Sequence, residues 1–251
     1  MQIIQSNLLN RFKNINAIFT TKGGGFSKVP YNSLNLAFHV ADRAEDVERN
    51  HQLLAQELKY DKNSLIHMKQ IHSSIVHIVT DDDNFTNPQS CDALITNKRN
   101  IPLMVMVADC SPILFYDSVN DVIAVAHAGR EGTFKNIVKN VIDSMIHNFN
   151  SNTKNINVAI GASIKECCYE VGSEIFDEAK ELNLDYALEK KRDSYYLDVS
   201  KILESQLLEC GVKKEKIEIS KECSCCLNNK YFSYRADGVT GRFCGLLVLL
   251  S

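Results

Sequence analysis

Six short apolar runs, at residues 75–79, 101–108, 113–116, 121–126, 156–160 and 245–250, constrain the fold of this 251-residue chain more than any other feature. Each is rich in Val, Ile and Leu and too short for a buried helix, so each reads as a buried strand. The longest is interrupted by Asp109 and Cys110, far below the roughly 20 apolar residues of a membrane-spanning helix. Only four segments carry helical periodicity: 44–60, 133–147, 173–182 and 198–210. In 133–147 the inward positions are Phe134, Ile137, Val138, Val141, Ile142 and Met145; in 198–210, Asp198 is the expected N-cap and Gly211 the stop signal. Strands therefore outnumber the helices available as crossovers. The expected class is α/β (α+β), with a sheet that is mixed or split in two, and not a regular βαβ repeat.

The chain has four prolines, no Gly/Ser-rich linker and no repeat of fixed period, so residues 1–251 read as one domain. Its 28 Lys and Arg against 31 Asp and Glu leave a net charge of −3. That balance gives no basic footprint for nucleic acid; small-molecule partners fit better. The opening residues lack a basic segment followed by a long apolar core, so neither a signal peptide nor a membrane association is expected. Nine cysteines, an odd number, then point to reduced thiols in the cytoplasm, available for structure, metal binding or catalysis.

Chemistry concentrates in residues 101–130. An apolar strand ends at Asp109-Cys110, a second runs through Phe115-Tyr116, and residues 117–120 make a polar turn. A third strand ends at His127, followed by Ala128-Gly129. If a four-residue hairpin closes Tyr116 onto Asp121, Cys110 falls opposite His127, with Cβ atoms about 4.5–5.5 Å apart. His72, at the start of the strand at 75–79, is a third candidate. His, Cys and His leave one tetrahedral position open, the arrangement of a catalytic zinc. Without His72 the same residues suit a Cys–His nucleophilic pair, and a histidine satisfied by structure alone is the plainer alternative.

Several motifs converge on one family. Gln70-x-His72, Cys91-Asp92-Ala93, Ala108-Asp109-Cys110 followed by Pro112, and Ala126-His127-Ala128-Gly129 resemble the YfiH/YlmD family, also described as laccase-domain or polyphenol-oxidase-like proteins. The resemblance continues through residues 167–172 (CCYEVG), 232–238 (FSYRADG) and 240–242 (TGR), and upstream through 20–24 (TTKGG) and 31–36 (YNSLNL). It implies an α/β/β/α domain, with two sheets between helical layers, and zinc held by His72, Cys110 and His127, copper being the alternative. It also implies purine nucleoside phosphorylase activity on adenosine, inosine, guanosine and methylthioadenosine, accompanied by adenosine deamination. Substrate contacts are then expected from Lys22, Asn35, Gln70, Arg130 and Arg235.

The chain departs from the family pattern at three places. The usual His-Ala-Gly-Trp-Arg-Gly is His127-Ala128-Gly129-Arg130-Glu131-Gly132 here, so an aromatic is lost and the arginine lies one position earlier. Ile160-Gly161-Ala162 replaces Ile-Gly-Pro, and Lys22 stands where arginine is common. Other features carry less. Cys223-x-Cys225-Cys226 offers a second metal site, but no histidine is near and its adjacent cysteines are expected to point in different directions, so core or loop thiols are the plainer expectation; Cys167-Cys168 likewise read as structural. His39, His51, His67, His77 and His147 read as packed or solvated. The glycines 23–25 beside Lys22 could admit an anion, and Asp81–Asp83 read as a solvated loop. Phe232, Tyr234 and Arg235 suit a pocket wall, although a packed strand explains the aromatics equally well. Three other functions compete: a copper-dependent polyphenol oxidase, a Cys–His hydrolase with Cys110 as nucleophile, and a non-catalytic partner-binding protein.

Overall fold

A computed structural model describes residues 1–251. In chain order the strands are β1 (Ile3–Gln5), β2 (Ile15–Thr20), β3 (Met68–Lys69), β4 (Val76–Ile78), β5 (Gln89–Ser90), β6 (Ala93–Thr96), β7 (Leu103–Val107) and β8 (Ser111–Asp117). They continue as β9 (Val122–Ala128), β10 (Ile156–Ile160), β11 (Glu170–Val171), β12 (Leu188–Lys191), β13 (Ser194–Leu197), β14 (Ile217–Ile219) and β15 (Phe243–Leu249). The helices are α1 (Ala44–Leu58), α2 (Arg130–Phe134), α3 (Ile137–Phe149), α4 (Ser173–Glu181), α5 (Val199–Glu209) and α6 (Tyr234–Asp237).

Two sheets organise the molecule. The larger runs β14-β10-β8-β9-β6-β4 and the smaller β1-β2-β15-β7. Most neighbours are antiparallel; β4 with β6 and β10 with β14 are parallel. Three hydrophobic layers follow from strict alternation along the strands. On β9, Val122, Ala124, Ala126 and Ala128 face α3 and α5, whereas Ile123 and Val125 face the second sheet. On β15, Phe243 and Leu247 face the first sheet, whereas Cys244, Leu246 and Val248 pack with Leu54 of α1. The order is helices, sheet, sheet, helix, as the sequence and its resemblance lead one to expect. No helix is long and apolar enough to cross a membrane.

The six apolar runs all form strands, and three of the four periodic segments form single helices. Asp198 caps α5 by accepting from the Lys201 amide, and Gly211 takes the left-handed conformation at φ +90° that ends the turn after it. The segment 133–147 is the exception. It divides into α2 and α3 because Asn136, at φ 56°, leaves the helical region and uses its side chain to accept from the Lys139 amide. Asparagine tolerates that conformation and competes for backbone donors, so it interrupts the helix despite an unbroken apolar stripe.

The hairpin register differs from the expected one. The β8–β9 ladder pairs Asp117 with Val122 and Pro112 with His127. The loop has the anticipated four residues but spans 118–121, which places Cys110 level with Gly129. A two-residue slip keeps side-chain parity. Cys110 and His127 are therefore diagonal neighbours on the same, inter-sheet face.

Candidate metal centre and cavity

At the mouth of the inter-sheet layer, His72 follows β3, Cys110 lies in the bend between β7 and β8, and His127 lies near the end of β9. Their donor atoms are all within 4.8 Å of one another. The Cys110 Sγ is 4.0 Å from His72 Nε2, and the two imidazoles stand edge to face, with centroids 4.8 Å apart.

One buried carboxylate arranges both histidines. Asp92 Oδ1 is 2.8 Å from His127 Nδ1 and accepts from the His72 amide at 3.1 Å. Its Oδ2 accepts from the Ser73 amide and hydroxyl, each at 2.6 Å, and from the Ile71 amide at 3.3 Å. Those contacts hold His72 at φ 57°, a conformation that needs such support outside glycine. They also commit His127 Nδ1, leaving Nε2 for the centre. Such a carboxylate–histidine pair is the outer layer expected around a metal ligand. The donor chemistry thus fits a metal: three ligands of zinc-binding type, an oriented imidazole, and a side open to a cavity.

The electrostatics agree. Burial pushes the Cys110 thiol up, but the charge of His127 and hydrogen bonds to both imidazoles outweigh it and bring its pKa down to about 6. Burial pushes His127 down, while the Cys110 sulfur and the Asp92 carboxylate outweigh it and raise the pKa to about 9. Burial would raise Asp92, yet its bonds to His127 and Ser73 bring it to about 2.

The cavity above the centre has a volume of about 460 Å³ and is lined by His39, Gln70, Ile164, Tyr169, Tyr234, Arg130, Arg235 and Arg242, among others. That size suits a small ligand. Arg235 donates to the carbonyls of Cys168 and Glu170, and Arg242 to those of Thr240 and Gly241; neither is ion-paired. Arg130 is committed to Glu178 at 2.6 Å and lies 3.6 Å from Glu131. Asp109, at φ 84°, fixes the wall by accepting from Ser224 Oγ at 2.6 Å and the Arg235 amide at 2.7 Å.

The remaining expected contacts fall out differently. Gln70 reaches the cavity, but its amide group is used on both the N–H and C=O of Met106, tying the His72 segment to β7. Lys22 and Asn35 do not line the cavity. The Lys22 ammonium donates to the Asn228 carbonyl. Asn35 is fully buried, and its Oδ1 accepts from the Arg242 amide at 2.9 Å, so its effect on the cavity is indirect. Gly25 packs too closely on Ser33 and Leu34 for a Cβ, and the glycines 23–25 are likewise outside the cavity wall. The sequence reading did not assign roles to Asp92, Asp109 or Arg242, although a lone acid beside an apolar run was the available signal for the first two.

The chain belongs to the family described as multi-copper polyphenol oxidoreductase laccase, whose model matches residues 16–250. It is 33% identical over 241 residues to the purine nucleoside phosphorylase YlmD of Bacillus subtilis (strain 168), covering 92% of this chain and 87% of that protein. Its fold superposes on the crystal structure of the Bacillus licheniformis hypothetical protein YfiH with a TM-score of 0.92 at 33% identity, over 96% of this chain and 95% of that one. YlmD from Geobacillus stearothermophilus gives 0.91 at 30% identity, over 96% and 93%.

Proposed function

We propose that this chain is a zinc-dependent purine nucleoside phosphorylase. It would cleave adenosine, inosine, guanosine and methylthioadenosine with phosphate to release the free base, and would also deaminate adenosine, in a reducing cytoplasm. The observation that carries the reading is the convergence of His72, Cys110 and His127 at the base of a cavity walled by two guanidinium groups free of carboxylates. The phosphorylase name of relatives at about a third identity supports it.

Bound by the three donors, zinc would supply Lewis acidity toward a substrate oxygen inside the cleft. Asp92 holds His127 in one tautomer and orientation. Arg235 and Arg242 are the proposed phosphate contacts, since a phosphate would meet positive charge there without displacing a carboxylate. Arg130, also expected among the substrate contacts, first has to release Glu178. Tyr169 and Tyr234 offer aromatic faces to a purine. A multi-copper oxidase fits the donors less well. His2Cys could hold one type 1 copper, but His51 and His67 are spent on the carbonyls of Leu36 and Phe85, and His77 on Asp83. A second reading rests on one observation: Cys110, His127 and Asp92 form a nucleophile–base–acid chain, the arrangement of a Cys–His hydrolase.

The test incubates the metal-analysed protein with inosine or adenosine, with and without phosphate. Base release should require phosphate. Arg242→Ala should lower kcat/KM for phosphorolysis about 10- to 150-fold, the equivalent of one charge-assisted hydrogen bond, and reduce adenosine deamination much less. Arg130→Ala should leave kcat/KM within about five-fold of wild type, because its guanidinium is already held by Glu178. Phosphate-independent turnover by metal-free protein would replace this reading with the hydrolase.

A further inference from the structure

We propose that Cys167, Cys168, Cys223 and Cys226 form a second metal site, a tetrathiolate that takes a single thiophilic divalent cation such as Zn2+ and staples two loops behind the cavity wall. The four sulfurs lie within 4.8 Å of one another. Cys226 Sγ is 3.5 Å from that of Cys167 and 3.3 Å from that of Cys168. Four sulfurs about 2.3 Å from one ion sit about 3.8 Å apart at the corners of a tetrahedron, within the observed range. A disulfide needs about 2.05 Å and joins two sulfurs; here Cys226 faces two at once. Four is the ligand number of a closed structural zinc site, and Cys223 and Cys226 have the C-x-x-C spacing common in such sites. Cys167 and Cys168, expected to be structural, both meet Cys226 because the turn that begins at Lys165 brings the two sulfurs round to it.

Local hydrogen bonding is organised for the same purpose. The amides of Cys168 and Tyr169 bond the Lys165 carbonyl, and the Leu227 amide bonds the Cys223 carbonyl, so each pair of cysteines is carried by its own tight turn. The turns meet through a bridge between Ser163 and Cys223 and the bond from the Ser224 amide to the Ser163 carbonyl. Binding Zn2+ releases the four thiol protons and leaves a net charge of −2 on the complex. Two cations lie beside it: the buried Lys165 ammonium, bonded to Ser163 Oγ and Ser200 Oγ, and Arg235, whose guanidinium holds the Cys168 carbonyl. The staple would thus set the position of a cavity arginine without touching substrate.

The two metal centres share no residue, so Cys110→Ala separates them. Protein made with zinc and purified under reducing conditions without chelator should carry two zinc equivalents, and Cys110→Ala should keep one. The paired substitution Cys223→Ser with Cys226→Ser should keep one as well. Cobalt loaded into Cys110→Ala should give sulfur-to-cobalt charge-transfer absorption of four-thiolate intensity. A Cys110→Ala protein that is folded by circular dichroism but takes up neither zinc nor cobalt would overturn the site. So would peptide mapping that finds a Cys168–Cys226 disulfide in freshly reduced and metal-supplied protein. If the paired serine variant fails to fold, the Cys110→Ala metal count decides alone. Loss of the first centre in the wild type would instead appear as one equivalent that Cys110→Ala leaves unchanged.

Discussion

Asp92 shows how much a single buried charge can organise. Its two oxygens receive three backbone amides, one hydroxyl and one imidazole, so its burial is compensated by bonds that a neutral side chain could not all accept. The consequence is a defined pH window for the metal-free centre. Cys110, lowered from 9.0 to about 6, adds stability that is complete above pH 9 and is lost as pH falls through about 6. His127, raised from 6.5 to about 9, adds stability that is complete below pH 6.5 and is lost as pH rises through about 9. Both contribute together only between those limits. Metal-free protein should therefore melt highest between about pH 6 and 9, and alkylation of Cys110 should titrate near pH 6. In Asp92→Asn the His127 charge loses its partner, and the alkylation midpoint should move upward. A midpoint that stays near 6 would remove Asp92 from this role.

At the level of whole elements, the β8–β9 hairpin carries His127 and has Cys110 at its entry. Phe115 and Leu114 are adjacent and fully buried on opposite faces, so the hairpin is anchored in two cores and its end is rigid. Gly129, at the exit from β9, is there for space. A Cβ on it would lie 2.9 Å from Cys110 Sγ and 3.1 Å from His72 Cδ2, inside contact distance for both. Its φ of −78° is open to any residue, so Gly129→Ala should act through crowding alone. It should cost the variant the metal at His72, Cys110 and His127, with a change in melting temperature of no more than about 5 °C. Metal analysis beside a thermal melt checks both halves. Full metal content would mean that the His72 segment yields easily.

At the scale of the molecule, the two ends of the chain meet in one sheet. β15 lies between β2 and β7, pairing Leu247 with both Ala17 and Leu103, and all seven of its residues are buried. The inter-sheet core thus cannot close until the last strand arrives. Each fully buried Leu or Phe on β15 contributes roughly 1.5–3 kcal/mol, and its loss would also leave β2 and β7 with unpaired edges. A chain ending at Arg242 should show no cooperative thermal transition by circular dichroism. A native-like melt of that truncation would contradict a central role for β15.

Six of the fifteen strands, most of the helices and the layered class were legible in the sequence, because apolar period and length are local properties; β2, β6 and the shorter strands carry too weak a local pattern to show. The proximity of His72, Cys110 and His127 was legible as a candidate, since the hairpin slip of two residues preserved the face on which Cys110 and His127 meet. Relations between distant segments emerge only on folding. Lys22 and Asn35 leave the expected contact set because Asn228 and Arg242, more than 200 positions away, take up their polar groups. Arg130 is claimed by Glu178 on another helix. Cys167 and Cys168 join Cys223 and Cys226 across more than fifty residues. Pairing, charge neutralisation and metal-sized clustering depend on distances in space, and apolar periodicity carries no record of which remote side chain will arrive.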